Sequence, residues 1–199
     1  GYDQLGRLIS LDEASGPNGE RAVTRYTYTR TGATLSATDP TGAVVGWTYD
    51  DLDRPVTSTV LERRPEPGAF TTRYTYDDDG NLVRVAPPAG APAAVDYDRA
   101  GLPVTVTDPA GVVTRLGYDF AGRPVRSTDA AGRTTRTEYD GLGRVAGVSD
   151  WAAGQVRLRG TGYGYDPTGN LLTVTDPLQR TVSYAYDAMN RQVRQVEQV

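Results

Sequence analysis

A Tyr-Asp pair returns at near-constant intervals along this 199-residue chain. A period of that length dictates a tandem-repeat architecture before any other feature is weighed. The pairs are Tyr2-Asp3, Tyr49-Asp50, Tyr76-Asp77, Tyr97-Asp98, Tyr118-Asp119, Tyr139-Asp140, Tyr165-Asp166 and Tyr186-Asp187, with Tyr28-Thr29 as a degenerate ninth copy. Successive tyrosines lie 26, 21, 27, 21, 21, 21, 26 and 21 residues apart, so the unit is 21 residues and three units carry five or six more. Residues 1–199 therefore read as one array of about nine repeats. A start at Gly1 beside a Tyr-Asp pair and an end at Val199 without a terminal motif read as a piece of a longer protein.

Two turns punctuate each unit. The first is Tyr-Asp-x-x-Gly-Arg, as in Tyr118-Asp119-Phe120-Ala121-Gly122-Arg123 and Tyr139-Asp140-Gly141-Leu142-Gly143-Arg144. Its Asp can accept backbone N–H bonds from residues just ahead and close the turn. The fourth residue after Tyr is Gly at Gly6, Gly32, Gly80, Gly101, Gly122, Gly143 and Gly169, and otherwise Asp53 or Asn190. A position restricted to Gly, Asn and Asp calls for positive φ. The second turn, Asp39-Pro40-Thr41-Gly42 or Asp108-Pro109-Ala110-Gly111, follows type I or II preferences.

Between the turns the pattern has period two. Val104 and Val106 alternate with Thr105 and Thr107, Leu172 and Val174 with Thr173 and Thr175, and Tyr184 and Tyr186 with Ser183 and Ala185. That alternation predicts strands with one apolar face. Stacked units bring equivalent tyrosines side by side. The Arg five residues after Tyr (Arg7, Arg54, Arg123, Arg144, Arg191) is then placed to lie across a ring, a structural use favoured over ligand binding. The longer units differ at Asp12 to Glu20, Leu61 to Phe70 and Asp150 to Gly160, where loops are expected to grow into solvent along one sheet edge.

Composition agrees with an all-β reading. Gly 23, Pro 13 and Tyr 13, against two Trp, two Phe and one Met, suit short strands and tight turns. The length leads one to expect a domain with a core of its own. The net charge is −4 and there is no basic run, which argues against nucleic acid as a partner. Cys and His are both absent, so disulfides, thiolate metal sites, the commonest general base and Ser-His-Asp catalysis are excluded. No signal peptide or membrane-spanning apolar stretch is visible in this sequence.

These Tyr-Asp-x-x-Gly-Arg cores, the Thr-Asp-Pro-x-Gly turns at Thr38 to Gly42 and Thr107 to Gly111, and the 21-residue spacing closely resemble the YD-repeat, or RHS-repeat, family. The resemblance covers essentially the whole chain. That family includes bacterial RHS polymorphic toxins, shell-forming subunits of insecticidal toxin complexes, wall-associated proteins and animal teneurins. What the resemblance implies is a curved, spiral sheet of antiparallel β-hairpins forming the wall of a hollow shell, which in the toxin members encloses a C-terminal effector. No C-terminal core segment with a self-cleaving aspartate is recognisable here.

Competing chemistry is thin. Asp77-Asp78-Asp79-Gly80-Asn81 imitates the opening of a calcium loop, but the closing Glu is missing and Pro87-Pro88-Ala89 follows. A carboxylate pair for glycoside hydrolysis could be drawn from many Asp residues, yet each recurs at a turn. The expectation is a non-enzymatic wall segment without metal or cofactor, in a secreted or cell-surface bacterial protein. Its partners would be further repeats of the parent shell and an enclosed effector, with self-association through strand edges. The alternative is an adhesion or carbohydrate-binding module. Trp151, Arg157 and Arg159, in one of the longer units, are the candidate partner contacts, unless that loop folds Trp151 back over the sheet edge.

Overall fold

The computed structural model describes residues 1–15, 20–62 and 67–198. It contains seventeen strands, all paired antiparallel. Contacts divide the chain into two compact units, Gly1–Val95 with Asp108–Gly111, and Asp96–Thr107 with Val112–Val199.

In the first unit the strands run β1 (Ser10–Ser15), β2 (Glu20–Tyr28), β3 (Thr34–Thr38), β4 (Val44–Tyr49), β5 (Pro55–Glu62), β6 (Gly68–Tyr76) and β7 (Leu82–Ala86), followed by residues 93–95 of β8 (Ala93–Tyr97). Each pairs with the next. A bridge between Tyr2 and Leu8 precedes them. The second unit runs β9 (Pro103–Thr107), β10 (Val113–Tyr118), β11 (Pro124–Thr128), β12 (Thr134–Tyr139), β13 (Val145–Ala152), β14 (Val156–Tyr165), β15 (Leu171–Thr175), β16 (Thr181–Tyr186) and β17 (Gln192–Gln198), again paired in sequence order.

Both turn types share one geometry. In the first, Asp119 N–H bonds Arg123 O at 3.0 Å and Gly122 N–H bonds Asp119 O at 3.0 Å; in the second, Asp39 N–H bonds Ala43 O at 2.9 Å and Gly42 N–H bonds Asp39 O at 3.0 Å. Positive φ falls on the fourth residue of each turn, not the third, which resolves the Asp-Pro-x-Gly turn as type I followed by one left-handed residue. Asp53 (φ 58°) and Asn190 (φ 60°) take that conformation in first turns. Gln179 (φ 66°) takes it in a second turn, where no local preference of the side chain favours it.

Every Tyr-Asp hairpin with a described register carries one extra residue. Thr75 faces Arg84 but Tyr76 faces Leu82, so Val83 is passed over. Leu35, Val56, Val125, Ala146, Leu172 and Val193 are passed over likewise. Such a bulge increases the local twist and takes a residue out of the ladder. The opposite alternation register carries hydroxyl pairs across strands, Thr48 to Thr57 at 2.6 Å and Thr128 to Thr134 at 3.0 Å among them.

Two expectations are corrected. The longer units do not project loops where they are described: β5 and β6 have 8 and 9 residues, and β13 and β14 have 8 and 10, against 5 or 6 in the short hairpins. Added residues pair with each other because an antiparallel ladder satisfies their backbone groups, which a loop would leave to water. Residues 16–19 and 63–66, within the segments Asp12 to Glu20 and Leu61 to Phe70, lie outside the described residues. Nor is there a core of fully buried apolar side chains: among the described residues only Thr134 and Ser149 are buried. Each unit is a ladder of strands in which apolar groups are half-covered by neighbouring hairpins, a quasi-one-dimensional arrangement.

Candidate functional site

The described chemistry converges on the seam between consecutive repeats. At each Tyr-Asp turn the Asp carboxylate closes the loop on itself. Asp140 Oδ1 accepts N–H bonds from Leu142 and Arg144, both at 2.9 Å, while Oδ2 accepts from Arg144 Nε at 2.7 Å. Asp3, Asp50 and Asp119 hold Arg7, Arg54 and Arg123 identically, and Asp187 holds Arg191. Asp98 closes its turn on Ala100 and Leu102 N–H groups alone. At Tyr28-Thr29 the Thr29 hydroxyl replaces the carboxylate and accepts Ala33 N–H at 3.0 Å.

The fixed arginine then reaches out of its own repeat. The guanidinium of Arg7 lies over the Tyr28 ring, Arg54 over Tyr76, Arg123 over Tyr139 and Arg144 over Tyr165, at 4.4–4.8 Å from the ring centres. Each ring belongs to the following repeat. Arg144 Nη1 also donates to Asp166 O at 2.7 Å, and Arg7 Nη1 to Thr29 O at 3.2 Å.

The tyrosine hydroxyl reaches the other way. Tyr165 donates to Val145 O at 2.9 Å, Tyr139 to Pro124 O at 3.0 Å, Tyr118 to Pro103 O at 2.9 Å and Tyr186 to Leu171 O at 3.0 Å. Tyr28, Tyr49 and Tyr76 do the same to Leu8, Thr34 and Pro55. For Thr34, Pro55, Pro124, Val145 and Leu171 the acceptor is the residue just before the one that the bulge passes over, so the irregularity supplies the carbonyl that the next tyrosine hooks. At the seams that follow Arg7, Arg54, Arg123 and Arg144, Asp, Arg and Tyr form one interlock: the turn sets the arginine, the arginine covers the next ring, and that ring's hydroxyl ties back.

Where Arg is replaced the clasp shortens. Asn81 and Asn170 donate to Asp77 and Asp166 Oδ2 at 3.0 and 2.8 Å. Their amides are too short to cover a ring, but Asn170 donates onward to Asn190 Oδ1 at 2.9 Å. Asp77 is thereby engaged as a turn carboxylate, and among the described residues no group of three His, Cys, Asp or Glu is placed to hold a metal ion.

At Asp3, Asp50, Asp77, Asp119, Asp140, Asp166 and Asp187 these bonds hold the carboxyl below the ordinary aspartate range. The Arg144 backbone N–H is the main cause at Asp140, and the Arg123 side chain at Asp119. At Asp166 partial desolvation works against the charge, but the Thr168 hydroxyl, the Asn170 amide and two backbone N–H groups bring the value to about 2.

Trp151 lies in strand β13 and faces Thr134 and Arg157, so it belongs to a paired ladder and not to a loop. Its indole N–H donates to Ser149 Oγ at 2.9 Å and Arg136 lies over its ring at 4.3 Å. Arg159 Nε donates to Asp150 Oδ2 at 2.5 Å, and Thr135 Oγ1 to Asp150 Oδ1 at 2.8 Å. Trp151 and Arg159 line a cleft of about 650 Å³. Arg157 is not part of it; its side chain lies flat over Gly160.

Reading the sequence alone missed the tyrosine hydroxyl's acceptor and the direction of the arginine. The missed signal was the break in alternation seven residues after each tyrosine. It also missed that Asp176 and Arg180, in a second turn, repeat the same carboxylate clasp, with Arg180 Nε to Asp176 Oδ2 at 2.7 Å. The signal there was the shared Asp-x-x-x-Arg spacing.

The sequence profile described as RHS Repeat matches residues 97–126, 121–156 and 165–197. No curated protein matches the chain in sequence. Among solved structures the fold is similar to that reported as the crystal structure of TcdB2-TccC3-Cdc42, with a TM-score of 0.71 at 18% identity, over 96% of this chain and 11% of that one. The crystal structure of TcdB2-TccC3 without the hypervariable C-terminal region is similar to the same degree, with a TM-score of 0.71 at 19% identity, over 96% of this chain and 11% of that one. The chain therefore spans about a tenth of the length of the solved chains it resembles, and at such identity the likeness is one of fold. Hooks and clasps of one geometry also run through Tyr28, Tyr49 and Tyr76, outside the matched segments. Residues 97–156 and 165–197 therefore carry RHS repeats by sequence, and the same strands and Tyr-Asp turns continue through the other described residues of the chain.

Proposed function

We propose that this chain is a wall segment of an RHS-type shell in a secreted or surface-delivered bacterial protein, and that the complete shell encloses a C-terminal effector. The observation that carries the reading is the interlock itself. Tyrosine hydroxyls tie repeat to repeat by one recurring bond, reinforced by arginine at four seams, so the described residues extend by repetition of one local arrangement. A catalytic site needs unlike residues brought together once. Here the aspartates that open the turns already accept backbone N–H groups, and Asp3, Asp50, Asp119, Asp140, Asp176 and Asp187 also hold arginines. The fold likeness to TcdB2-TccC3 structures supports the same reading.

The test uses the full-length protein. If its repeats form a closed wall, limited proteolysis under native conditions leaves the C-terminal region intact while the same region is cut quickly after the repeats are unfolded. Equal cleavage rates in both states would refute enclosure.

A further inference from the structure

One cross-strand pair recurs between consecutive repeats, joining the residue eight after one tyrosine to the residue three before the next. In four of these pairs a single arginine meets a small or hydroxyl-bearing partner: Ser10 faces Arg25, Thr57 faces Arg73, Arg84 faces Ala94 and Thr105 faces Arg115. Three pairs hold no charge: Ser36 faces Gly46, Gly147 faces Gly162 and Thr173 faces Ser183. Between β11 and β12 alone, among these pairs, two arginines meet, with Arg126 directly opposite Arg136. Like charges so placed repel each other and destabilise the ladder.

Among the described residues neither guanidinium forms an ion pair. Both are oriented by uncharged groups instead. Arg126 Nε donates to Thr128 Oγ1 at 3.3 Å, while Arg136 lies over the Trp151 ring and donates through Nη2 to Gln155 Oε1. Arg115 faces Thr128 on the same side of the sheet, two residues, about 7 Å, along the strands from Arg126. Glu138, the only carboxylate on that side of strands β10 to β13, leans across toward Gly147. The neighbours in the row are Gly117, opposite Arg126, and Ser149, opposite Arg136, so no bulky side chain stands over the exposed Arg126.

Two forked guanidiniums on adjacent strands, about 5 Å apart, can hold one carboxylate from both sides. Alternate side chains of an extended peptide recur about every 7 Å, the interval that separates the rows of Arg126 and Arg115. Nucleic acid fits less well: the chain carries a net charge of −4, and the Trp151 ring on this side is already covered by Arg136. We propose that Arg126 and Arg136, with Arg115 beside them, form a docking site for an extended acidic peptide segment whose carboxylates supply the counter-charge. This site goes beyond the shell reading and does not rest on it.

The test is fluorescence anisotropy of the chain, at low ionic strength, with a fluorescein-labelled peptide of alternating Glu and Ser. The same peptide with Gln for Glu and an oligothymidylate of equal charge are the comparators. Arg126→Thr recreates the pairing of Thr105 with Arg115, and Arg84→Thr removes an exposed arginine from the equivalent place in another repeat. The expected result is saturable binding of the Glu peptide, weakened about tenfold or more by Arg126→Thr and unchanged by Arg84→Thr. Without peptide, Arg126→Thr should melt at or above the temperature of the unmodified chain, because it relieves a like-charge pair. An arginine kept for the fold would instead melt lower on replacement. No binding of the Glu peptide overturns the proposal, as does equal binding of the Gln peptide or tighter binding of the oligothymidylate. So does an equal effect of the two variants, or a lower melting temperature for Arg126→Thr.

Discussion

Removing one tyrosine hydroxyl at a seam measures what the interlock is worth. Tyr165→Phe deletes the 2.9 Å bond to Val145 O and leaves the ring in place beneath Arg144. A net hydrogen bond contributes about 1 kcal/mol, and more where the abandoned acceptor is kept from water. Val145 is half-buried and its carbonyl sits at the bulge, so water can reach it only in part. The expected loss is about 1–1.5 kcal/mol. Arg144→Leu removes the cation from the ring and the bond to Asp166 O, for about 1–2 kcal/mol. Ring and hydroxyl share one geometry, so the double variant should lose less than the sum. Urea unfolding followed by circular dichroism reads these differences, which correspond to roughly 2–4 °C per kcal/mol in a chain of this size. Tyr163→Phe is the internal control, because that tyrosine lies in the same strand without a hydroxyl bond to a neighbouring repeat. If Tyr163→Phe and Tyr165→Phe cost the same, the hydroxyl hook contributes nothing and the interlock reduces to ring packing.

Other perturbations follow from the same geometry. Gln179→Gly should raise stability by about 0.5–1 kcal/mol, since Gln179 holds φ 66°, and thermal unfolding would detect the gain. Gly122→Val should cost roughly 1–3 kcal/mol by forcing a β-branched residue to φ 75°, whereas Gly122→Asn should cost much less; equal melting temperatures would refute the positive-φ requirement. Acid should weaken the turns together. The folded carboxyl values are lowered, so their contribution is full above the unfolded value near 4 and lost as pH falls through the folded values, reaching about 2 at Asp166. Melting temperature should be level down to about pH 5 and fall steeply below pH 4, with a shallower fall in Asp140→Asn.

The seams also show how a repeat tolerates substitution. Thr29 keeps its turn closed with a hydroxyl in place of a carboxylate, and Asn170 keeps the local clasp while giving up the ring. Each replacement preserves the bonds within the turn and gives up the cover over the next ring, while the tyrosine hook across the same seam remains. Turn closure is a matter of a few adjacent atoms, which several side chains can supply. Reaching a ring in the following repeat takes the length and planar charge of arginine.

Much of this architecture is legible from local order. The period, the positive-φ position and the alternation of Val and Thr act over a few neighbouring residues, and short-range sterics and turn chemistry decide them without help from the rest of the chain. What needed the tertiary structure involves atoms 15 to 22 residues apart in sequence: the carbonyl each tyrosine finds, the ring each arginine covers, and the bulge that brings them into reach. The longer units show the same division. Residues Asp150 to Gly160 look like a loop in sequence because Gly154 interrupts them. They become strand because the neighbouring β12 offers Thr134 and Thr135 a partner in Trp151 and Asp150. The absence of a buried apolar core was likewise beyond reach: alternation shows which face of a strand is apolar, but only the arrangement of strands decides whether a second layer covers that face, and within each unit hairpins cover one another side by side.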